Sequence, residues 1–263
     1  LAEKAPLLFE DLLLPEAVRT NLQHTSLQAN PPHLLLSGPA GVGKTAVWRL
    51  LARQVLGPTW EARTHILQAR DLSRTSGAMA KFEEFLRPEG SGSEDTLAGR
   101  TSLDAFDHTF SSSGADTPPP AGKECTYDSD ERAPVSRLIV IEDADYLGTI
   151  RQSYLRRMME VSSGSARFIF TAHTPSRIIE ALRSRTQHIR LPKISRSETE
   201  RRLQQIVEEE NISPVRGILG DISHVSAGNL RKAIFITEIL ALRMLLDDRK
   251  NLQSLLADRK SVV

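Results

Sequence analysis

Residues 38–45 have the types and the spacing of a loop that binds phosphate. Their sequence, GPAGVGKT, fits the pattern G-x-x-x-x-G-K-[S/T]. In this pattern the glycines let backbone N–H groups close on phosphate oxygens, the lysine reaches the outer phosphates, and the threonine hydroxyl can ligate Mg²⁺. The candidate binding residues are Gly38, Pro39, Ala40, Gly41, Val42, Gly43, Lys44 and Thr45. The pattern therefore predicts that the chain binds a nucleoside triphosphate together with Mg²⁺.

A pair of acidic residues follows the apolar run LIVI at residues 138–141. Hydrolysis in a nucleotide site of this kind needs one carboxylate that holds the metal and another that orients the attacking water. We expect Glu142 to ligate Mg²⁺ with Thr45, and Asp143 to orient the water. The usual order is Asp before Glu, so each side chain differs here by one methylene, about 1.5 Å of reach. Because a misplacement of about 1 Å can lower a rate about 100-fold, the reversed order predicts slow hydrolysis.

The elements that must position these residues follow from the apolar pattern. Buried strands are predicted where short apolar runs occur, at residues 33–36, 64–67, 138–141, 168–171 and 188–191. Apolar residues recur at helical spacing between them, as in the helix that follows the glycine-rich loop and ends at Gly57-Pro58. Strands that alternate with helices predict a parallel sheet covered by helices on both faces.

The pattern becomes purely helical after residue 192, where Ser195 and Glu198 have the spacing of a capping box. We therefore expect an α/β nucleotide-binding domain over residues 1–192 and a small all-helical domain over residues 193–242. Residues 243–263 are expected to be the start of a collar or a C-terminal helix. Residues 89–134 are rich in Ser, Gly, Asp, Thr and Pro, and this composition predicts a long insertion or mobile loop.

Composition sets wide limits on function. The chain has 263 residues, a net charge of +1 and one cysteine, Cys125. A single cysteine excludes an internal disulfide and a cysteine-based zinc site, and a charge near zero neither requires nor excludes a nucleic acid. No apolar run approaches the roughly 20 residues that a membrane-spanning helix needs. An intracellular protein without a membrane partner is expected.

Several further motifs occur in a fixed order along the chain. They are EKAP at residues 3–6, FEDL at 9–12, QSYLRRMME at 152–160, FIFTAH at 168–173, IIEALRSR at 178–185 and GNLRKA at 228–233. Together with the glycine-rich loop and the acidic pair, this set resembles the small subunits of replication factor C, the clamp loader of archaea and eukaryotes. These belong to the AAA+ ATPases. The resemblance covers most of residues 1–240 and includes the divergent second small-subunit paralogues of archaea.

The resemblance implies roles for residues that the pattern alone does not select. It makes ATP the nucleotide and places Leu12 and Leu13 at the adenine pocket. His173 takes the sensor-1 position, where the family usually has Asn. Arg185 becomes a catalytic arginine finger that reaches in trans to the nucleotide of a neighbouring subunit, and Arg231 a sensor-2 residue that contacts the phosphates in cis.

The same resemblance implies a fold and a function. The fold is a P-loop AAA+ domain followed by an all-helical lid domain. The function is that of an ATPase subunit in a hetero-oligomeric ring, with other clamp-loader subunits, the sliding clamp and primer–template DNA as partners. Its location would be the cytoplasm of an archaeon or the nucleus of a eukaryote. Two alternatives stay open: a non-hydrolysing structural subunit of the same assembly, and another AAA+ ATPase of replication or recombination.

Overall fold

A computed structural model describes residues 6–28, 30–86, 118–123, 135–161 and 165–260. The chain divides into two compact units. One contains the described residues of Ala2–Gly38 and Lys44–Leu191, and the other contains Pro39–Gly43 with the described residues of Pro192–Val263. In the part of the chain that the structure describes, no helix is long and apolar enough to cross a membrane.

The larger unit is built from five strands and seven α-helices within its described residues. The strands are β1 (Leu34–Ser37), β2 (Thr64–Gln68), β3 (Arg137–Glu142), β4 (Ala166–Ala172) and β5 (Gln187–Arg190). The helices are α1 (Glu16–Leu27), α2 (Lys44–Leu56), α3 (Trp60–Arg63), α4 (Ala69–Leu72), α5 (Ala78–Leu86), α6 (Gly148–Val161) and α7 (Glu180–Arg183). All five predicted strands are present, whereas the short helices α3, α4 and α7 were not predicted, since four residues are too few for a helical period.

The five strands form one sheet in the order β2-β3-β4-β1-β5. Every neighbouring pair is parallel, so the carboxyl ends of all the strands lie at one edge. The glycine-rich loop follows β1, the acidic pair stands at the end of β3, and His173 follows β4. The predicted parallel sheet is confirmed, and its connectivity brings three distant parts of the sequence to the same edge.

The central strands of the sheet, β1, β3 and β4, are buried on both faces. Leu35, Ile141 and Phe168 pack with side chains of α5, α6 and α7 in one hydrophobic cluster. Residues next to these in the strands point to the opposite face, and of these Leu36 and Val140 are also fully buried. Helix α2 contacts β3 and β4. Strands that are covered on both sides read as continuous apolar runs, which is why they could be predicted from the sequence.

The smaller unit contains the helices α8 (Arg196–Glu209), α9 (Ile218–Ser226), α10 (Leu230–Leu242) and α11 (Arg249–Lys260). The capping box at the start of α8 forms as predicted: Glu198 N–H donates to Ser195 Oγ (3.2 Å), and Ser195 N–H donates to Glu198 Oε2 (3.0 Å). The Ser195 hydroxyl also donates to Glu198 Oε2, and the hydrogen bonds that the carboxylate accepts from this hydroxyl and from the Ser195 N–H lower the pKa of Glu198. The core of the unit is formed by apolar side chains from all four helices: Leu203, Val207, Ile218, Ile222, Ile236, Leu240 and Leu252.

The predicted insertion at residues 89–134, with Cys125, lies mostly outside the described residues. Its described part, residues 118–123, is hydrogen-bonded to α2. Gln54 Nε2 donates to the Lys123 carbonyl (3.0 Å), and the N–H of Ala121 donates to Gln54 Oε1 (2.8 Å). The N–H of Phe9 also donates to the Pro120 carbonyl (2.9 Å). The backbone of this short segment is therefore held in place within the larger unit by hydrogen bonds to Gln54 and Phe9.

Candidate active site

The glycine-rich loop connects the end of β1 to the first turn of α2. A Cβ atom on Gly38 would lie 2.4 Å from the Leu191 carbonyl oxygen, so no larger residue fits there without a shift of backbone. Lys44 is the first residue of α2 and is only 8% exposed. Its Nζ donates to the carbonyl of Gly38 at 2.7 Å. The ammonium group is thus held by the backbone of the loop it belongs to.

The middle of the loop contacts the beginning of α10 in the smaller unit. Gly41 has φ of 72°, which favours glycine, and its carbonyl accepts from the N–H of Leu230 at 3.1 Å. The side chain of Asn229 caps α10 by accepting from the N–H of Lys232 at 2.9 Å. A Cβ atom on Gly41 would lie 1.8 Å from Asn229 Oδ1. The predicted phosphate contact Arg231 is exposed on this same first turn.

Thr45 and Glu142, the two residues predicted to ligate a metal, are in direct contact. The hydroxyl of Thr45 donates to Glu142 Oε1 at 3.1 Å. The indole N–H of Trp48 donates to the same oxygen at 2.8 Å, and the side-chain amide of Gln68 donates to Oε2. Trp48 and Gln68 were not predicted from the sequence. Signals for both were present, since Trp48 lies three residues after Thr45 on one helix face, and Gln68 directly follows the strand predicted at residues 64–67.

The residues at this position fit a magnesium ion. A hydroxyl and a carboxylate are the oxygen ligands that Mg²⁺ prefers, and the ion usually binds one or two protein groups together with substrate phosphates and water. Among the residues that the structure describes, no group of three or more His, Cys, Asp or Glu side chains could hold a metal ion. Thr45 and Glu142 are therefore suited to Mg²⁺ that arrives with a nucleotide, rather than to a metal held by protein alone.

Asp143 lies between two basic side chains. Its backbone is left-handed, with φ of 52° and ψ of 43°, and its N–H donates to Thr171 Oγ1 at 3.1 Å. Its Oδ1 lies 3.2 Å from Nε2 of His173, and its Oδ2 lies 3.5 Å from Nε of Arg70. The structure thus brings together the two predicted residues Asp143 and His173 and adds Arg70, which was not predicted.

Arg70 and His173 are themselves fixed by neighbours. The guanidinium of Arg70 lies 4.5 Å from the centre of the Tyr146 ring, and its Nη2 donates to the Tyr146 hydroxyl at 3.2 Å. The buried carboxylate of Asp145 accepts from the N–H groups of His173 (3.4 Å) and Thr174 (3.3 Å). The two side chains that contact Asp143 therefore come from restrained segments, one on each side of the strand end.

Arg185 follows the helix α7 and forms an ion pair on the surface. Its Nη2 and Nε lie 2.8 and 3.1 Å from Oε1 of Glu160, and its Nη1 donates to the carbonyl of Ala181 at 2.9 Å. The side chain is 38% exposed. These contacts are with α6 and α7 and are separate from the group of residues around Glu142. A functional role for Arg185 therefore requires a ligand beyond these contacts.

Leu12 and Leu13 follow a short 3₁₀ helix, Phe9–Asp11. Leu12 is 6% exposed and belongs to the core, whereas Leu13 is half-buried. The carboxylate of Asp11 accepts from the N–H of Leu8 at 2.8 Å and so stabilises this segment. Contact of the two leucines with adenine stays a prediction.

The fold and the helical lid define the class of protein. Residues 201–242 match the family described as the RCF1/5-like AAA+ ATPase lid domain. The fold is similar to that of the RuvB Holliday junction branch migration motor of Thermotoga maritima, with a TM-score of 0.62 and 15% identity. That similarity covers 95% of this chain and 71% of the motor. The predicted fold class, a P-loop AAA+ domain with a parallel sheet covered by helices and followed by an all-helical lid domain, is confirmed.

The curated relatives confirm the predicted resemblance to replication factor C. Replication factor C small subunit 1 of Pyrobaculum islandicum is 28% identical over 93% of this chain and 62% of its own length. The small subunit of Aeropyrum pernix is 28% identical over 89% of the chain, and subunit 2 of Phaeosphaeria nodorum is 30% identical over 81%. The chain spans about three fifths of the archaeal relatives, with 62% and 59% of their lengths covered.

Proposed function

We propose that this chain is an ATP-binding subunit of a clamp loader. Together with other subunits it would open a sliding clamp inside the cell and place it on primer–template DNA. The similarity to replication factor C small subunits supports the kind of assembly. The observation that carries the proposal is the contact of Thr45 with Glu142 at 3.1 Å, because it joins the glycine-rich loop to the acidic strand end that nucleotide hydrolysis needs.

Binding of the nucleotide is assigned to the loop and its first helical turn. Lys44 would exchange its contact with the Gly38 carbonyl for the outer phosphates, to which an ammonium group binds more strongly than to a neutral carbonyl. Thr45 and Glu142 would hold Mg²⁺, which supplies positive charge against the phosphate oxygens when it is bound. Arg231, exposed on the first turn of α10, retains the role that the resemblance implies, which is contact with the phosphates.

Hydrolysis is assigned to Asp143 and His173. Asp143 would accept a hydrogen bond from the attacking water, and His173 would donate one to the γ-phosphate or to the same water. His173 Nε2 is within 3.2 Å of Asp143 Oδ1, so the two groups are close enough to act on one substrate. Because both oxygens of Asp143 face basic side chains, the isolated chain would hydrolyse ATP slowly.

Arg185 is assigned to the nucleotide of a neighbouring subunit. Its guanidinium is partly exposed and lies on the surface beside Glu160. An arginine supplied in trans stabilises charge that develops on the transferred phosphoryl group. This role would require an interface with a neighbouring subunit, as in the proposed ring.

One observation favours a second candidate function, a structural subunit that binds ATP without hydrolysing it. Asp143 Oδ1 and Oδ2 are both within 3.5 Å of a basic nitrogen, which leaves the carboxylate poorly placed to accept from water. Such a subunit would still bind nucleotide through Lys44 and offer Arg185 to its neighbour. The two functions differ in whether this chain hydrolyses ATP at its own site.

Purification of the native complex tests the proposal. A tagged copy is expressed in the source cells, the complex is isolated, and its members are identified by mass spectrometry. We expect clamp-loader subunits, and ATPase activity of the complex that rises with clamp and primer–template DNA. Isolation of the chain without such subunits, in a form that binds ATP, would contradict the clamp-loader function and favour another AAA+ machine.

A further inference from the structure

The carboxylate of Glu142 is held by three uncharged donors that come from two elements. Thr45 and Trp48 lie on α2 and donate to Oε1 at 3.1 and 2.8 Å. Gln68 ends β2, is paired in register with Glu142, and donates to Oε2. Because these donors carry no charge, they fix the orientation of the carboxylate without cancelling its negative charge. A carboxylate held in this way remains attractive to a divalent cation.

Trp48 is the most firmly placed of the three donors. Its side chain is 1% exposed and is among the largest fully buried side chains of the described core. A buried indole N–H needs an acceptor, because an unpaired one would lose its hydrogen bond to water without replacement. The acceptor is Glu142 Oε1. Packing therefore fixes the ring of Trp48, and the ring in turn fixes the carboxylate.

The length of the acidic side chain matters to this contact. Glu has one methylene more than Asp. The additional rotatable bond would leave the position of an unrestrained Glu carboxylate at a strand end less well defined. Here the extra reach brings Oε1 to both the Thr45 hydroxyl and the Trp48 indole. An Asp at this position would fall short of the indole by about one C–C bond, about 1.5 Å. The length of glutamate at position 142 therefore matches the position of the Trp48 indole.

We propose that Trp48 is a positioning residue for Glu142, which holds Oε1 beside the Thr45 hydroxyl and so sets the affinity of the site for Mg²⁺. The inference rests on the proposed nucleotide-binding function. It also explains the reversed order of the acidic pair. Glu142 is long enough to contact Trp48, so the order is an adaptation of the site rather than a defect. Removing a hydrogen-bond partner of a metal ligand typically lowers metal affinity or activity about 10- to 100-fold.

Trp48→Phe tests the inference because it keeps an aromatic ring and removes the N–H donor. Binding of a fluorescent ADP analogue to the full chain is measured while Mg²⁺ is varied, and again in excess EDTA. We expect Trp48→Phe to raise the Mg²⁺ concentration at half-saturation about tenfold, with unchanged affinity in EDTA. Trp60→Phe is the matched control, since Trp60 is the other of the chain's two tryptophans and lies on α3.

The outcomes separate the inference from the proposed function. Equal Mg²⁺ dependence in Trp48→Phe and the wild-type chain overturns the positioning role and leaves nucleotide binding intact. A wild-type chain that binds no nucleotide in either condition overturns the proposed function and the inference with it. Affinity that falls equally in EDTA and in Mg²⁺ shows that Trp48 only supports the fold, and it also overturns the inference.

A double-mutant cycle guards against misfolding of the single variant. In the Glu142→Asp background the indole has already lost its acceptor, so adding Trp48→Phe is expected to change the Mg²⁺ dependence less than about twofold. Substitutions of two residues that contact each other have non-additive effects of this kind. Fully additive effects of the two substitutions would show that Trp48 and Glu142 act independently, and the inference would fail.

Discussion

Arg185 and Glu160 form an ion pair within one chain, with Nη2 of the arginine 2.8 Å from Oε1 of the glutamate. The two side chains are 38% and 46% exposed. A pair as exposed as this one contributes about 0.2–1 kcal/mol. Phosphate contacts of an arginine are charge-assisted and frequently bidentate, so a neighbour's nucleotide could displace Glu160. The ion pair is therefore weak enough to be exchanged for a phosphate contact, as the role proposed for Arg185 in trans would require.

Arg185→Ala separates a role in trans from that of a surface charge. We expect the chain's own ATP affinity to stay nearly unchanged, because the contacts of Arg185 are with Glu160 and Ala181. Hydrolysis by the assembled complex should fall, since arginines supplied in trans are worth about 10³–10⁵ in rate. The measurement is ATPase activity stimulated by clamp and DNA, beside nucleotide binding by the mutant alone.

Arg183→Ala is the matched control for this prediction, because Arg183 is a nearby surface arginine that pairs with Glu180. It should leave both measurements unchanged. Unchanged activity of the Arg185→Ala complex would make Arg185 a surface charge. Loss of ATP binding by the isolated mutant would instead indicate that it acts in cis.

Lys44→Ala is expected to abolish tight binding of ATP. Lys44 Nζ is held 2.7 Å from the Gly38 carbonyl, at the loop where the outer phosphates are proposed to bind. Alanine has no charged group that could replace the ammonium. Equilibrium titration with a fluorescent ATP analogue measures the loss. Lys81→Ala, at an exposed position of α5, is the control. Undiminished affinity in Lys44→Ala would refute the phosphate-loop assignment.

Arg70→Ala distinguishes a hydrolytic subunit from a structural one. Arg70 Nε lies 3.5 Å from Asp143 Oδ2, and its removal frees that oxygen to accept from water. We expect basal ATP turnover to rise about two- to fivefold, because a partly exposed ion pair is worth up to about 1 kcal/mol. Steady-state phosphate release by the purified chain is the measurement.

Arg74→Ala, also exposed, is the control for the same experiment. A fall in turnover on Arg70→Ala would mean that the arginine orients Asp143 productively. Absence of turnover in both the wild-type chain and Arg70→Ala would favour the structural subunit.

Gly41→Ala should destabilise the chain more than a comparable glycine substitution elsewhere. A Cβ atom on Gly41 would lie 1.8 Å from Oδ1 of Asn229, so the cap of α10 must move. Gly57 has a similar φ, 64° against 72°, with nothing within 4 Å of a Cβ atom, and Gly57→Ala isolates the backbone cost. The free energy of unfolding should fall about 1 kcal/mol further in Gly41→Ala, the typical cost of a lost cap. Equal losses in urea titrations would refute this explanation.

Stability should fall in mild acid because of His33. The N–H of Phe168 donates to its Nδ1 at 3.0 Å, which requires a neutral ring. Burial, with a smaller effect of Arg167, lowers the pKa of His33 to about 4 from an ordinary value of 6.5. The unfolded chain therefore binds more protons below about pH 6.5, and the stabilisation, at most about 3 kcal/mol, is lost as the pH falls towards 4.

His33→Asn tests this pH dependence, since an amide oxygen can accept from Phe168 and does not titrate. Urea unfolding is compared at about pH 7.5 and about pH 5, where the folded and unfolded rings differ in charge. The variant should lose less stability on acidification than the wild-type chain. His224→Asn, at an exposed position of α9, should behave like the wild type. Identical acid sensitivity in all three chains would rule His33 out as the cause.

Local features of the fold could be predicted from the sequence. The glycine-rich loop is a continuous run of residues, and its chemistry depends on residue types at fixed spacing. The strands β1, β3 and β4 contain the apolar runs LLL, LIVI and FIF, because a parallel sheet is buried on both faces. The capping box at Ser195 was visible because its two members lie three residues apart. In each case the pattern and the structure that it specifies occupy the same short stretch of chain.

The partners of the acidic pair could not be predicted in this way. Trp48 and Gln68 contact Glu142 across 94 and 74 residues of sequence, and Arg70 reaches Asp143 from the helix after β2. The positions of Trp48 and Gln68 are visible in the sequence, but their contact with Glu142 exists only once the sheet brings these segments together.

By itself the sequence determined that a phosphate loop, an acidic strand end and a helical lid occur in one chain, because each is specified by residues close together. Only the tertiary structure decided that Glu142 is held by Trp48 and that Asp143 lies between His173 and Arg70. The reason is the strand order β2-β3-β4-β1-β5, which brings the ends of β2, β3 and β4 to one edge of the sheet. Side chains that are distant in the sequence can meet there.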